Sequence, residues 1–212
     1  LDTVIKRLEK RYGPEVVFHG GLKVTTTLDP QIQAWAAQSV QAGLQKLDRN
    51  MGLSDEFDSA DLDTARLPQG ALVAIQANSG AVKALVGGRN YSESEYNRAV
   101  QNNRLPGSGF KPFLYYTAFD KLAVHPATVF IDKPITISPA GAPDWTPKNF
   151  SRDYSGPMIL KQAFLDSVNT IAAQLVDQTG PADVIATAKR FGITSPLSPV
   201  YSVALGTSGV SP

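Results

Sequence analysis

Leu1, Ile5, Leu8 and Tyr12 share one helical stripe of the opening segment, and Gly13-Pro14 predicts where that helix stops. Over 20–29, Leu22, Val24 and Thr26 alternate with Lys23, Thr25 and Thr27, the two-residue period of a strand. Asp29-Pro30 reads as a helix start, with the aspartate as N-cap and the proline at the first helical position. Ile32, Trp35, Ala36, Val40, Leu44 and Leu47 then recur at three- and four-residue steps, so the helix should reach about Leu47. The period is lost over 48–70. There Asp48, Asp55, Glu56, Asp58, Asp61 and Asp63 outnumber Arg49 and Arg66, and an exposed connection is expected. This acidic stretch lacks the Gly turn and Glu spacing of a calcium-binding loop.

From residue 71 the pattern changes. Two apolar runs flank Asn78-Ser79-Gly80 and predict a hairpin, and Leu72, Val73, Ile75, Val82, Leu85 and Val86 suggest a sheet covered on nearly both faces. Helices are expected over 108–123, 158–166, 169–179 and 181–191. A hairpin followed by several helices makes the fold class α+β, with a junction region over 1–69 and a second region over 70–212.

Composition narrows the chemistry. The 212 residues suffice for one domain, or a domain with a small attachment. With 20 Lys+Arg against 19 Asp+Glu, the net charge of +1 argues against a nucleic-acid partner. No apolar run reaches the ~18–20 residues of a membrane span, and the N-terminal segment has no signal-peptide core. The absence of Cys removes disulfides, thiolate zinc sites and cysteine nucleophiles. His19 precedes Gly20-Gly21 and His125 precedes Pro126, so both read as turn residues that supply a metal centre or a Ser-His-Asp triad poorly. If the chain is an enzyme, its chemistry therefore falls to Ser, Lys, Asp, Glu or Tyr.

RLPGSGFKPF (104–113) holds an S-x-x-K pair, Ser108 and Lys111, one helical turn apart. A serine hydroxyl becomes a good nucleophile when a base takes its proton, and a neutral amine can be that base. Burial or nearby positive charge lowers a lysine pKa to make this possible. A helix N-terminus also supplies N–H groups for an oxyanion. Alone, such a pair arises by chance on the order of once in a chain this long, as a capping serine beside a solvated lysine. A second element lies at Ser167-Val168-Asn169, where an apolar helical pattern breaks and resumes. Its hydroxyl can relay a proton and its carboxamide can meet a peptide, although an ordinary N-cap explains either residue in isolation.

Together with GGLKVTTTLDPQIQ, QGALVAIQANSGAVKALVGG, YNRAVQNNRLPGSGFKPF (Arg98, Ala99, Gln101, Arg104, Pro106 and Gly107 among them), PDWTPKNF, Gly156, LKQAFLDSVNT and YSVALGTSGVSP, these motifs make the chain resemble a class A penicillin-binding protein. The likeness spans the end of the linker and the N-terminal half of the transpeptidase domain, an antiparallel sheet flanked by helices. It implies Ser108 as acyl-accepting nucleophile, Lys111 as general base, Ser167 as proton shuttle and Asn169 as a substrate-amide contact. The implied substrate is a D-Ala-D-Ala peptidoglycan stem peptide, cross-linked to a neighbouring stem amine, with β-lactams acylating the same serine and no cofactor required. It also implies an extracytoplasmic location and, in a parent protein, a membrane anchor and a glycosyltransferase domain. The family's third motif, Lys-Thr-Gly, is absent, and Gly209 stands where many relatives carry an acid. A fragment of low activity, lacking the remaining transpeptidase strands as partners, is therefore expected. A D,D-carboxypeptidase or serine β-lactamase, and a non-catalytic β-lactam sensor or interaction module, are the alternatives.

Overall fold

Helix α1 (Asp2–Tyr12) forms on the expected stripe, and Gly13 ends it. Pro14 then opens a second helix, α2 (Pro14–His19), because a proline in a first turn forfeits an N–H that has no intrahelical partner anyway. His19 thus closes a helix, whereas a turn position was expected. The computed structural model describes residues 2–53, 67–101 and 103–211, which fall into two compact units, Leu1–Glu95 and Tyr96–Pro212.

In the first unit, residues 21–29 form no strand, contrary to their alternation. Leu22, Val24 and Leu28 all stay exposed, so no buried face rewards an extended ladder. The segment touches its neighbour through Asp29 N–H to the Lys83 carbonyl and the Thr27 hydroxyl to the Val82 carbonyl. Asp29 caps α3 (Pro30–Asn50) as predicted, accepting from the N–H groups of Gln31 and Ile32. The helix continues past Leu47 and carries Asp48 into the interior, 1% exposed. Arg89 holds that carboxylate in two hydrogen bonds, of 2.7 and 2.8 Å, and also donates to the Pro68 carbonyl. Asp48 is therefore a structural anchor and no part of an exposed connection. The other acids of that stretch, Asp55 to Asp63, lie outside the described residues.

Strands β1 (Leu72–Ile75) and β2 (Val82–Val86) form the predicted antiparallel hairpin, closed by hydrogen bonds between Gln76 and the 79–81 turn. Its cover is thinner than expected. Ala84 alone in these strands is buried, and α3 packs on β2, where the Gln33 carboxamide pairs with both the N–H and the carbonyl of Leu85.

In the second unit, a short helix α4 (Arg98–Gln101) precedes a 3₁₀ turn, Gly107–Phe110, that feeds α5 (Lys111–Lys121). Strands β3 (Val129–Asp132) and β4 (Gly156–Ile159) pair antiparallel. The sequence pattern at 158–166 predicted helix throughout, but Met158 and Ile159 pair with β3, and α6 runs only from Leu160 to Leu165. Helices α7 (Asn169–Thr179) and α8 (Pro181–Arg190) follow the predicted spans closely. The core centres on α7: Ile171, Ala172, Leu175 and Val176 are fully buried among Leu114 and Ala118 of α5, Val184 and Ala188 of α8, and Val203 and Ala204 of the 3₁₀ helix Tyr201–Leu205. Each buried Ile, Leu or Val side chain there contributes on the order of 1.5–3 kcal/mol, so the start of α7 and the start of α5 rest on one packed core.

Candidate active site

Ser108 sits inside the 3₁₀ turn and Lys111 begins α5. The cause of the 3₁₀ geometry is local. Pro112 has no N–H to give the Ser108 carbonyl, so the carbonyl is taken by Lys111 N–H one residue earlier, an i to i+3 bond. In that geometry residues three apart eclipse one another, which places Ser108 and Lys111 on one face. Ser108 is exposed, and Lys111 is 1% exposed. The preceding segment is pinned by a two-way bridge, Arg104 N–H to the Val210 carbonyl at 3.0 Å and Val210 N–H to the Arg104 carbonyl at 2.9 Å.

Ser167 joins α6 to α7 with φ of +56°, a left-handed backbone that costs a residue with a Cβ about 1–2 kcal/mol. That conformation turns its carbonyl onto the Lys111 ammonium. Lys111 Nζ donates to the Ser167 carbonyl at 2.5 Å, to Ser167 Oγ at 2.9 Å and to Asn169 Oδ1 at 2.7 Å. Asn169 Nδ2 in turn donates to the Lys148 carbonyl at 2.9 Å. Asn169 is therefore not an N-cap: its own side chain is turned to the lysine, and the cap position is Val168. The free N–H groups of Asn169 and Thr170 donate instead to Asn149 Oδ1.

Two effects act on the buried amine. Burial pulls its pKa down from 10.5 to about 8, while three acceptors match the three N–H bonds of an ammonium. At pH 7 a pKa near 8 leaves about one lysine in ten neutral, so forming the neutral amine costs about 1.4 kcal/mol; at pKa 10.5 it would cost nearly 5 kcal/mol. Ser108 Oγ is not among the hydrogen-bond partners of Nζ in the described residues, and catalytic bonds of this kind commonly tighten only when substrate arrives.

Ser108, Ser167 and Asn169 line one cavity of about 550 Å³, completed by Asp132, Asn149, Phe150, Ser151, Asp153, Ser155, Met158, Asp166 and Val168. The structure thus brings all four sequence-predicted residues together, three on the cavity wall and Lys111 just behind it. It adds three that the sequence alone did not single out, Asp132, Asn149 and Thr170. The signal for Asp132 is an acid closing an apolar run, VFID, ahead of Pro134.

Residues 70–202 match the family described as the penicillin binding protein transpeptidase domain. The chain belongs to that family. Penicillin-binding protein 1A of Aquifex aeolicus is 39% identical over 278 residues, covering 100% of this chain and 38% of that protein. Penicillin-binding protein 1A of Neisseria meningitidis is 35% identical over 221 residues, covering 100% of this chain and 27% of that protein. The chain therefore spans 27% and 38% of the length of these two relatives. Among solved structures, penicillin-binding protein 1A from Haemophilus influenzae superimposes with a TM-score of 0.79 at 23% identity, over 100% of this chain and 43% of that one. PonA1 from Mycobacterium tuberculosis, solved with penicillin V, gives 0.71 at 24% identity, over 99% and 55%. The α+β fold of the transpeptidase family expected from the motifs is the fold observed.

Proposed function

We propose that this chain carries the nucleophilic half of a peptidoglycan D,D-transpeptidase site, within a longer class A protein whose residues 1–69 here serve as junction and 70–212 as part of the transpeptidase domain. The observation that carries the reading is the hold on Lys111, whose amine lies between Ser167 and Asn169 while Ser108 opens onto the same cavity. Family membership supports it independently.

In the proposed reaction, Ser108 Oγ attacks the carbonyl carbon of the penultimate D-Ala of a stem peptide and gives its proton to neutral Lys111 Nζ. The peptide C–N bond breaks, and Ser167 Oγ passes a proton from the ammonium to the departing D-Ala nitrogen. The ester left on Ser108 is then attacked by a stem amine, which forms the cross-link and returns the proton to the serine. Asn169 presents its amide beside the stem peptide. A β-lactam forms the same ester with no amine to leave, so it stays. The site lies outside the cytoplasm on a membrane-anchored parent; among the described residues, no helix is long and apolar enough to cross a membrane.

The test uses the full-length protein that contains this chain. Exposure to a fluorescent penicillin, followed by digestion and mass spectrometry, should place one adduct on Ser108, and Ser108→Ala should abolish it. An adduct elsewhere, or none, overturns the reading. Product analysis with and without an acceptor amine separates cross-linking from hydrolysis.

A further inference from the structure

Asp132 closes β3 and is 2% exposed, and no cation pairs with it among the described residues. A buried carboxylate in that state is tolerated only when donors replace its water. Asn149 Nδ2 and Ser155 N–H each donate to it at 2.8 Å, and the Thr170 hydroxyl donates as well. Burial works to raise its pKa, and the hydrogen bonds from Thr170, Ser155 and Asn149 outweigh that and hold it below its ordinary value. The carboxylate is the hub of three segments: the first turn of α7, the loop around Asn149 and the entry to β4.

Those segments converge on the proposed catalytic turn. Asn149, fixed by Asp132 and by the Asp153 carbonyl, accepts from the N–H groups of Asn169 and Thr170 and so ties down the start of α7. Lys148, its neighbour, offers the carbonyl that receives Asn169 Nδ2. A carboxamide has one donor end and one acceptor end, so engaging Nδ2 there leaves Oδ1 facing Lys111. Turned the other way, the amide would set N–H against ammonium. The loop that Asp132 anchors thereby decides which end of Asn169 meets the lysine.

We propose that Asp132, through Thr170 and Asn149, is a positioning residue that sets the Ser167–Asn169 turn against Lys111; this rests on the acyl-transfer reading above. The test is saturation kinetics of Ser108 acylation by a fluorescent penicillin in the full-length protein, paired with thermal melting. Thr170→Val and Asp132→Asn should each lower the limiting acylation rate about 10–100-fold, the scale of an ångström-sized misplacement. Thr170→Ser, which keeps the hydroxyl, should acylate close to the wild-type rate. The double variant Asp132→Asn/Thr170→Val should be little slower than Asp132→Asn alone, because both act on one network. If Asp132→Asn does not fold, the Thr170→Val and Thr170→Ser pair decides. Variants that melt earlier but acylate at the wild-type rate while folded overturn the proposal, because Asp132 is then only a fold anchor. Failure of wild type to label at Ser108 overturns the acyl-transfer reading instead.

Discussion

Gly206 is the position where a single methyl group tests the geometry behind Ser108, the proposed nucleophile. It follows the 3₁₀ helix Tyr201–Leu205, is buried, and has φ of +69°. A Cβ placed on it would lie 2.2 Å from the Gly107 carbonyl oxygen and 2.6 Å from the Gly107 nitrogen. Gly107 immediately precedes Ser108, so Gly206→Ala must push the turn that carries the proposed nucleophile by about 1.3–1.8 Å to reach ordinary contact distance. The left-handed backbone adds about 1–2 kcal/mol for a residue with a side chain, and overpacking against backbone adds about 1–3 kcal/mol. The expected loss is on the order of 2–5 kcal/mol, a fall of about 5–20 °C in the melting temperature of a domain of this size. Molecules still folded should acylate about 100-fold more slowly, since the displacement falls on the serine proposed to react. Thermal melting and penicillin labelling of the full-length protein measure the two effects. A variant that melts within a degree of wild type and labels at the same rate would refute the close approach.

Other expectations follow from single residues. Gly43, inside α3, has open space where a Cβ would stand, with nothing within 4 Å, and should accept Ala with a gain of about 0.5–1 kcal/mol in chemical denaturation. Asp48→Ala leaves the half-buried Arg89 guanidinium without its carboxylate and should cost about 3–5 kcal/mol, much of it restored when Arg89 is replaced by Met in the same chain; equal destabilisation in single and double variants counts against the pair. Acylation should rise with pH through an apparent pKa near 8 and then level, and a flat profile there would remove Lys111 as base. The same lysine makes stability pH-dependent. Its folded pKa is the lower one, so between about 8 and 10.5 the unfolded chain holds more protons and stability increases with pH, by up to roughly 3 kcal/mol, an increase that Lys111→Met should abolish in denaturant titrations.

The helices that were legible in the sequence are those whose signals are local. Asp29-Pro30 fixed the start of α3, and the apolar helical pattern that resumes after Ser167-Val168-Asn169 marked α7. Local pattern failed where partners decide. Met158 and Ile159 continue the apolar run of α6 yet pair with β3, and Asp48 looks like one more acid of a polar stretch until Arg89, distant in sequence, closes on it. Segment 21–29 fails in the opposite sense, since alternation without a face to bury does not make a strand. At the site, the resemblance carried by the S-x-x-K and S-x-N motifs pointed to Ser108, Lys111, Ser167 and Asn169, but only the folded chain brings Asp132 and Asn149 to the same cavity. Their role depends on which atom of a carboxamide faces which neighbour, and a sequence does not carry that information.

Lys111 and Ser167 are two halves of one arrangement. A lysine buried in a purely apolar wall would be neutral and loosely oriented, and one bound by a carboxylate would be held charged. Here the acceptors are a carbonyl, a hydroxyl and an amide oxygen, all uncharged. They orient the amine and satisfy its N–H bonds without the full Coulombic grip of an anion, so burial keeps the pKa near 8. The buried carboxylate of this network, Asp132, has its oxygens occupied by Thr170, Ser155 and Asn149 rather than by the lysine. Asp132 therefore shapes the turn while neutral groups meet the lysine. The left-handed backbone at Ser167 is what brings its carbonyl and its hydroxyl to the same amine, and the strain of that backbone is offset by the pair of hydrogen bonds it permits.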